Sequence, residues 1–362
     1  MRTALISDLH LGAVGRADVA LRPDALERLV DALAPADRIV LLGDLLEMRE
    51  RPVANLLEVT RPFFDRLADV AAGKPVTLVA GNHDHGLAEP WLSRLRLDGG
   101  PLAAENEWPV EPGDRDGPAG WIASRLPGAE LTIAYPGLYL RPDLYATHGH
   151  YLDLHLTVPR LESIAASAMA RVTGRGSDCR SATDYEAVLA PLYGFYDGLA
   201  QAASGATLER GGRMSRNVWS LATGDGTVAR VVLGRITIPG AVLALNRLGL
   251  GPFSRELTGD ELRRAGLLAM GRVAETLAPG VEHLLFGHTH RPGPMPDDEE
   301  AEWTTLSGTR LWNTGSWYIE PSFISGRAER SPYWPGTVVW VEDEGPPRIE
   351  NALRGYAAAA SV

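Results

Sequence analysis

Short apolar runs alternate with amphipathic stretches through the first ninety positions of the chain. Thr3–Ser7, Arg38–Leu42 and Val76–Ala80 are strand-sized, rich in Leu, Ile and Val, and followed by or ending near Asp, Gly-Asp or Gly-Asn. Pro23–Leu33 and Arg61–Ala71 lie between them and carry apolar residues at helical spacing, as at Leu26, Leu29, Val30 and Leu33. Residues three and four apart share one face of a helix, so each stretch predicts a helix laid on a sheet. Strands separated by helices predict an α/β layered fold with parallel pairing. Ligands of such sheets gather beyond the carboxyl ends of the strands.

Further along, Leu131–Tyr135, Leu144–His148, His283–Phe286 and Thr337–Val341 read as strands. Residues 98–120, rich in Pro, Gly and acidic side chains, read as a surface loop, and the Ala-rich last dozen residues as a fraying tail. The stretch between His150 and His283 differs in character. Pro159–Val172, Asp184–Ala203 and Thr258–Leu277 predict helices, the last opening with a capping box of Thr258 and Glu261.

The length of 362 residues exceeds the roughly 250–300 at which single cores stop growing, so a second domain or a large insertion is expected. The pattern divides into a core of residues 1–155 and 280–345, a mainly helical cap over 156–279, and a tail over 346–362. The plain reading of the cap is a helical lobe with its own small core. The sharper reading is an apolar lid over a greasy substrate, or a surface that touches membrane, and rests on Val231–Phe253. That segment is interrupted by Arg235, Pro239, Gly240 and Arg247, which disqualifies it as a span.

A formal charge of −11 argues against a sequence-independent nucleic-acid binder, which needs a basic face. Cys179 is the single cysteine, so no intrachain disulfide forms. The first strand starts too close to Met1 for a signal peptide to precede it. A cytoplasmic location is the expectation, peripheral to the membrane if 231–253 makes contact.

Seven of the nine histidines fall in four clusters: Asp8-Leu9-His10, Gly81-Asn82-His83-Asp84-His85, His148-Gly149-His150 and Gly287-His288-Thr289-His290. A fifth segment, Gly43-Asp44-Leu45-Leu46-Glu47, adds a carboxylate after the second strand. Side chains two apart on extended backbone share a face, so Asp8 and His10 can converge on one ion, as can His288 and His290 if their segment is extended. Asp44 has two oxygens and can bridge two cations, Asn82 offers a neutral amide oxygen, and His148 adds an imidazole. Such donors suit Mn, Fe, Ni or Zn better than Ca or Mg, which prefer all-oxygen shells. A lone DxH or HxH triplet arises often by chance. Five segments in order, each at a strand end of one α/β pattern, point to a metal-dependent enzyme.

In that order, DxH, GD, GNH[DE], His-Gly and GHxH, the segments resemble the calcineurin-like metallophosphoesterase superfamily. The resemblance implies two mixed β-sheets packed face to face and flanked by helices, with a largely helical insertion. It also implies two divalent metal ions, Mn foremost, with Fe, Zn or Ni as alternatives. Asp8, His10 and His290 would hold one ion, Asp44 would bridge, and Asn82, His148 and His288 would complete the second. His83 would protonate the leaving group or stabilise charge on phosphorus, with Asp84 a candidate to orient it. The implied activity is hydrolysis of phosphoester or pyrophosphate bonds by a metal-bridging hydroxide. The substrate would be a small organic phosphate, free or linked to a nucleotide or lipid. The alternative is a non-catalytic metal-binding scaffold acting through the helical insert.

His85 and His150 are taken as bystanders or supports of the ligands, and His155 and His283 as structural. Asn313-Thr314-Gly315-Ser316 resembles a segment that shapes the floor of such sites. The Asp-Arg-Gly that follows the second strand in protein Ser/Thr phosphatases is absent. Ser7-Asp8-Leu9-His10-Leu11, Gly43-Asp44-Leu45-Leu46-Glu47 and His148-Gly149-His150 look nearer to the UDP-2,3-diacylglucosamine pyrophosphohydrolase group, whose best-known members differ at His83 (Arg) and His150 (Asp).

Overall fold

A computed structural model describes residues 1–111, 117–202, 242–254, 259–319, 324 and 331–356. Among the described residues eleven strands make two sheets. They are β1 Thr3–Ile6, β2 Arg38–Leu42, β3 Pro75–Val79, β4 Glu107–Pro109, β5 Glu130–Ala134, β6 Gly137–Arg141, β7 Leu144–Thr147, β8 His283–Phe286, β9 Arg310–Asn313, β10 Thr337–Val341 and β11 Arg348–Asn351. The larger sheet has the order β11-β10-β1-β2-β3-β5-β4 and the smaller β6-β7-β8-β9. The centre of each is parallel, β1-β2-β3-β5 in one and β7-β8-β9 in the other, and antiparallel strands stand at the edges.

The two sheets face each other across Leu5, Val40, Leu42, Val79, Leu138, Leu144, Ala146, Leu285, Val339 and Val341, all buried. Their alternate residues, such as Ala4, Ile6, Ile39 and Leu41, pack on the outer layer of helices. Strands apolar on both faces, covered by helices, are what a buried parallel sheet requires. On the large sheet lie α1 Pro23–Leu33 and α2 Val53–Ala71, which bury Leu26, Leu29, Leu33, Leu56, Phe63 and Leu67. α3 Glu89–Leu97 and α4 Pro118–Arg125 follow.

Several expected boundaries move. Residues 98–120 are not one loop: β4 pairs antiparallel with β5, and α4 begins at Pro118. The expected tail over 346–362 contains β11, which pairs with β10 from Thr337↔Asn351 to Trp340↔Arg348, and Leu353 is fully buried. Polar Arg348 and Glu350 alternate with Ile349 on this edge strand, a short pattern easily taken for loop.

The insertion is helical where described: α5 Leu161–Thr173, α6 Ala182–Ala202 and a short helix at 242–247. α6 does not build a separate core. Its Tyr185, Val188, Leu189 and Tyr193 join the same apolar cluster as the outer face of the large sheet. α7 Gly259–Leu277, expected in the cap, is the crossover between parallel β7 and β8 and buries Leu262, Met270, Val273 and Leu277. The capping box at Thr258 and residues 231–241 of the apolar segment lie outside the described residues. Among the described residues no helix is long and apolar enough to cross a membrane.

Candidate metal centre

Asp8 and His10 follow β1, Asp44 follows β2, Asn82 and His83 follow β3, His148 follows β7, and His288 and His290 follow β8. The carboxyl ends of parallel strands from both sheets thus meet at one place. The loops are laced together: Asp8 N–H donates to Gly43 O, His10 N–H to Asp44 O, and Gly287 N–H to His148 O. Asp8 and His10 do not converge through extended backbone, as their spacing had suggested. Asp8 (φ 52°), His10 (45°), Asp44 (49°), His288 (65°) and His290 (60°) are all left-handed. Among the described residues only one other non-glycine, Arg16, has positive φ. Such conformations are uncommon and cluster at functional sites, where surrounding structure enforces them.

Close packing helps to enforce them. Gly43 has φ 85°, and a Cβ there would stand 2.3 Å from the His148 ring. A Cβ at Gly81 would stand 2.2 Å from Asp44 Oδ1 and 2.8 Å from His148 Cδ2. The glycine before each of Asp44 and Asn82 is therefore a space requirement of the centre.

Three of the imidazoles have one nitrogen tied to a protein acceptor. His10 Nδ1 meets Glu47 Oε2 at 3.0 Å, His148 Nδ1 meets Leu42 O at 3.0 Å, and His288 Nε2 meets Asp153 Oδ2 at 3.0 Å. A neutral ring that donates from one nitrogen presents a lone pair on the other. These lone pairs converge on further acceptors. His10 Nε2 lies 3.2 Å from His290 Nε2, which is 3.3 Å from Asp8 Oδ1. His148 Nε2 lies 3.2 Å from both Asp44 Oδ2 and Asn82 Oδ1, and His288 Nδ1 lies 3.1 Å from Asn82 Oδ1. Acceptors facing acceptors in a buried place are what a cation would satisfy. Rotating the Asn82 amide would instead pair its nitrogen with both rings. Oxygen toward the rings is the orientation that suits a metal.

The donor groups fall into overlapping sets, Asp8–His10–His290, His10–Asp44–His83 and Asp44–His148–His288, each with ligand atoms within 4.8 Å of one another. Asp44 and His10 each belong to two sets, and of these only Asp44 has a second oxygen with which to bridge. The structure therefore brings together Asp8, His10, Asp44, Asn82, His148, His288 and His290, and the donors fit two divalent ions.

His83 stands beside this group with Nε2 4.0 Å from Asp44 Oδ2, partly open to solvent. Asp84 does not orient it. That carboxylate is fully buried and accepts backbone N–H bonds from Gly81, Asp44, Leu45 and Leu46 at 2.7–3.3 Å, fastening the β3 loop to the β2 loop. Burial, then the nearby Asp44 charge, pushes the Asp84 carboxyl up to about 7. The group that holds His83 is Glu47, 2.8 Å from Nδ1, which also holds His10. Glu47 three residues after Asp44 and Asp153 five after His148 were visible in the sequence, but nothing in their spacing alone assigned a partner.

The remaining histidines form supports. His85 Nε2 meets Glu186 of α6 at 2.8 Å, and Glu186 also accepts from Tyr135 at 2.8 Å. Tyr135 Oη lies 3.2 Å from His150 Nε2. Burial, then the His148 charge, keeps His150 well below its usual pKa. His155 contacts Tyr185 of α6 at 2.7 Å, and His283 lies buried in β8 beside Trp312. The Asn313–Ser316 segment reaches Asp8 through Ser7, whose Oγ lies 2.6 Å from Thr314 Oγ1 and donates to Asp8 Oδ2 at 2.5 Å.

Residues 1–169 match the family model described as Calcineurin-like phosphoesterase, a span that runs from Asp8 through His148. Over these residues, a little under half of the chain, the sequence is similar to that family. His288 and His290 lie beyond the matched span, and the fold brings them to the residues within it. No curated protein matches the chain. Among solved structures, a dimetal phosphatase from Danio rerio is similar at 12% identity and TM-score 0.34, covering 97% of this chain and 99% of that one. A mutant cold-active protein tyrosine phosphatase is similar at 14% identity and TM-score 0.30, covering 97% and 78%. Both scores are too low to bear on the activity. The metal-dependent phosphoester hydrolase assignment stands on the family match and the donor sets.

Proposed function

We propose that the protein hydrolyses phosphoester or pyrophosphate bonds of small organic phosphates, including nucleotide- or lipid-linked ones, with two divalent cations. The observation that carries this is the convergence of imidazole nitrogens on Asp8, Asp44 and Asn82 oxygens in a buried place. Asp8, His10, His290 and Asp44 would hold one ion, and Asp44, Asn82, His148 and His288 the other. Two such cations supply Lewis acidity, lowering the pKa of water and offsetting charge on phosphoryl oxygens.

The chain's own residues do the rest. Glu47 fixes the His83 ring through Nδ1 and leaves Nε2 facing the site, where it can give a proton to a leaving oxygen or stabilise charge beside it. Asp153 and Glu47 hold the ligand rings, and Asp84 joins two ligand loops. α6, on the site side of the insertion, supplies the wall that selects substrates. A scaffold that works without hydrolysis is disfavoured because every ligand type the chemistry needs is present.

The test incubates the protein with Mn²⁺ and p-nitrophenyl phosphate, bis(p-nitrophenyl) phosphate and a UDP-sugar pyrophosphate, with Asp44→Ala as control. Turnover that needs both metal and Asp44 is expected, and the preferred substrate separates monoester, diester and pyrophosphate chemistry. No turnover on any of the three with metal measurably bound would count against the hydrolase reading and favour the scaffold.

A further inference from the structure

Arg49 lies on the loop that carries Asp44 and Glu47 and turns its guanidinium toward the metal centre. Nη1 and Nη2 both stand 3.2 Å from the Asn82 amide nitrogen, on the side away from His148 and His288. The guanidinium carbon lies 4.7 Å from the Tyr196 ring centroid and 5.8 Å from that of Tyr193, both on α6. Arg49 Nε is buried and has no hydrogen-bond partner. Glu162 and Asp197 sense the charge of Arg49, but among the described residues no carboxylate forms an ion pair with it.

The unpartnered Nε and the missing counter-ion ask for an anion. A half-buried guanidinium without a counter-ion is costly, and the tyrosine faces offset only part of that cost. If the Asn82 oxygen faces the imidazoles, as a metal ligand would, its NH₂ faces the guanidinium, and an acceptor between them would satisfy both donors. The planar fork of arginine matches two oxygens of a phosphoryl group.

We propose that Arg49 binds a phosphoryl oxygen of the substrate on the Asn82–His148–His288 side of the centre. Tyr193 and Tyr196 hold it there, so the insertion takes part in phosphate recognition through α6. The proposal rests on the phosphoesterase reading of the site. It competes with one other role. If the Asn82 amide rotated, its oxygen would accept from both Arg49 nitrogens, but its nitrogen would then face His148 and His288. Asn82 could not then hold a metal, so the two roles exclude each other.

The experiment titrates inorganic phosphate into Mn²⁺-loaded protein by calorimetry, with manganese content and circular dichroism measured on every sample. Wild type, Arg49→Ala, Arg49→Lys and Tyr196→Leu are compared. At equal metal content, Arg49→Ala is expected to weaken phosphate binding by about tenfold to a hundredfold, as loss of a charge-assisted hydrogen bond does. Arg49→Lys recovers part of it, and Tyr196→Leu costs about threefold. Where substrate is turned over, KM rises by a similar factor.

Phosphate binding unchanged in Arg49→Ala would overturn the proposal. So would a loss that only follows reduced metal content, which would assign Arg49 to Asn82 alone, or a wild type that binds no phosphate. If Arg49→Ala does not fold, Arg49→Lys and Tyr196→Leu decide by the same criteria. Hydrolysis that depends on Asp44 but is indifferent to Arg49 would sink this proposal and leave the phosphoesterase reading standing. Phosphate binding lost in Arg49→Ala without any Asp44-dependent hydrolysis would sink the phosphoesterase reading, and with it the substrate role of Arg49, leaving only an anion site.

Discussion

At the residue scale, Glu47 is where support and chemistry meet, because one carboxylate holds both a metal-site imidazole and the His83 ring. Glu47→Gln removes the charge and leaves one accepting oxygen in place of two. Manganese affinity is expected to fall about tenfold to a hundredfold, the usual cost of losing a carboxylate behind a ligating histidine, which metal titration measures. His83→Ala should behave differently, lowering kcat by about 10²–10⁴ while manganese stoichiometry stays at the wild-type value. Undiminished turnover would remove His83 from the reaction. Asp84→Ala belongs to neither class. It strips the acceptor from four buried N–H groups, so urea unfolding should show a loss of several kcal/mol, at about 1–3 kcal/mol for each group left unpaired.

At the scale of elements, the strands that carry the ligands were legible and the edges were not. Arg38–Leu42 and His283–Phe286 are apolar on both faces because helices and a second sheet cover them, and such runs stand out in any sequence. β4 and β11 are edge strands of three and four residues whose outward positions are polar, so their pattern merges with that of loops. The residues that gather at the centre were likewise legible, since a metal would demand particular donor atoms, and those stand out at strand ends. The means of convergence was not. Spacing suggested extended backbone at Asp8 and His10, whereas left-handed turns bring them in, and packing against neighbouring loops enforces those turns. The partners contributed by α6, Glu186 and the two tyrosines, were beyond reach because contact across a hundred residues leaves no local trace. Gly81 gives this scale its prediction. Gly81→Ala should displace Asp44 or His148, and misplacement of about 1 Å can cost 10²-fold in rate. Metal stoichiometry and kcat report it, with circular dichroism showing that the fold persists.

At the scale of the whole molecule, the centre joins two sheets that otherwise meet through apolar side chains. Asp8, His10, Asp44 and Asn82 come from the larger sheet, and His148, His288 and His290 from the smaller. Four imidazoles and two carboxylates gathered within a few ångströms bind cations in the native arrangement and have no such arrangement once the sheets part. Metal should therefore stabilise the fold by linkage, about 2.7 kcal/mol when free metal is a hundred times its Kd. Thermal unfolding with Mn²⁺ against EDTA measures the difference, and Asp44→Ala should abolish most of it. Acid acts on a separate joint. His155 meets Tyr185 of α6, and burial, then the Arg272 charge, lowers its pKa from 6.5 to about 4. The unfolded chain then binds the proton more readily than the native one between those values. Stability tied to His155 is thus intact above pH 6.5 and lost as pH falls toward 4. His155→Gln cannot titrate, so its stability relative to wild type should rise over that interval by roughly 2 kcal/mol, after discounting for the partial exposure of the ring. Urea midpoints of the two proteins at pH 7, 6, 5 and about 4.5 give the comparison. Parallel curves would mean that His155 titrates alike in both states and that its contact with Tyr185 contributes nothing pH-dependent to the fastening of α6.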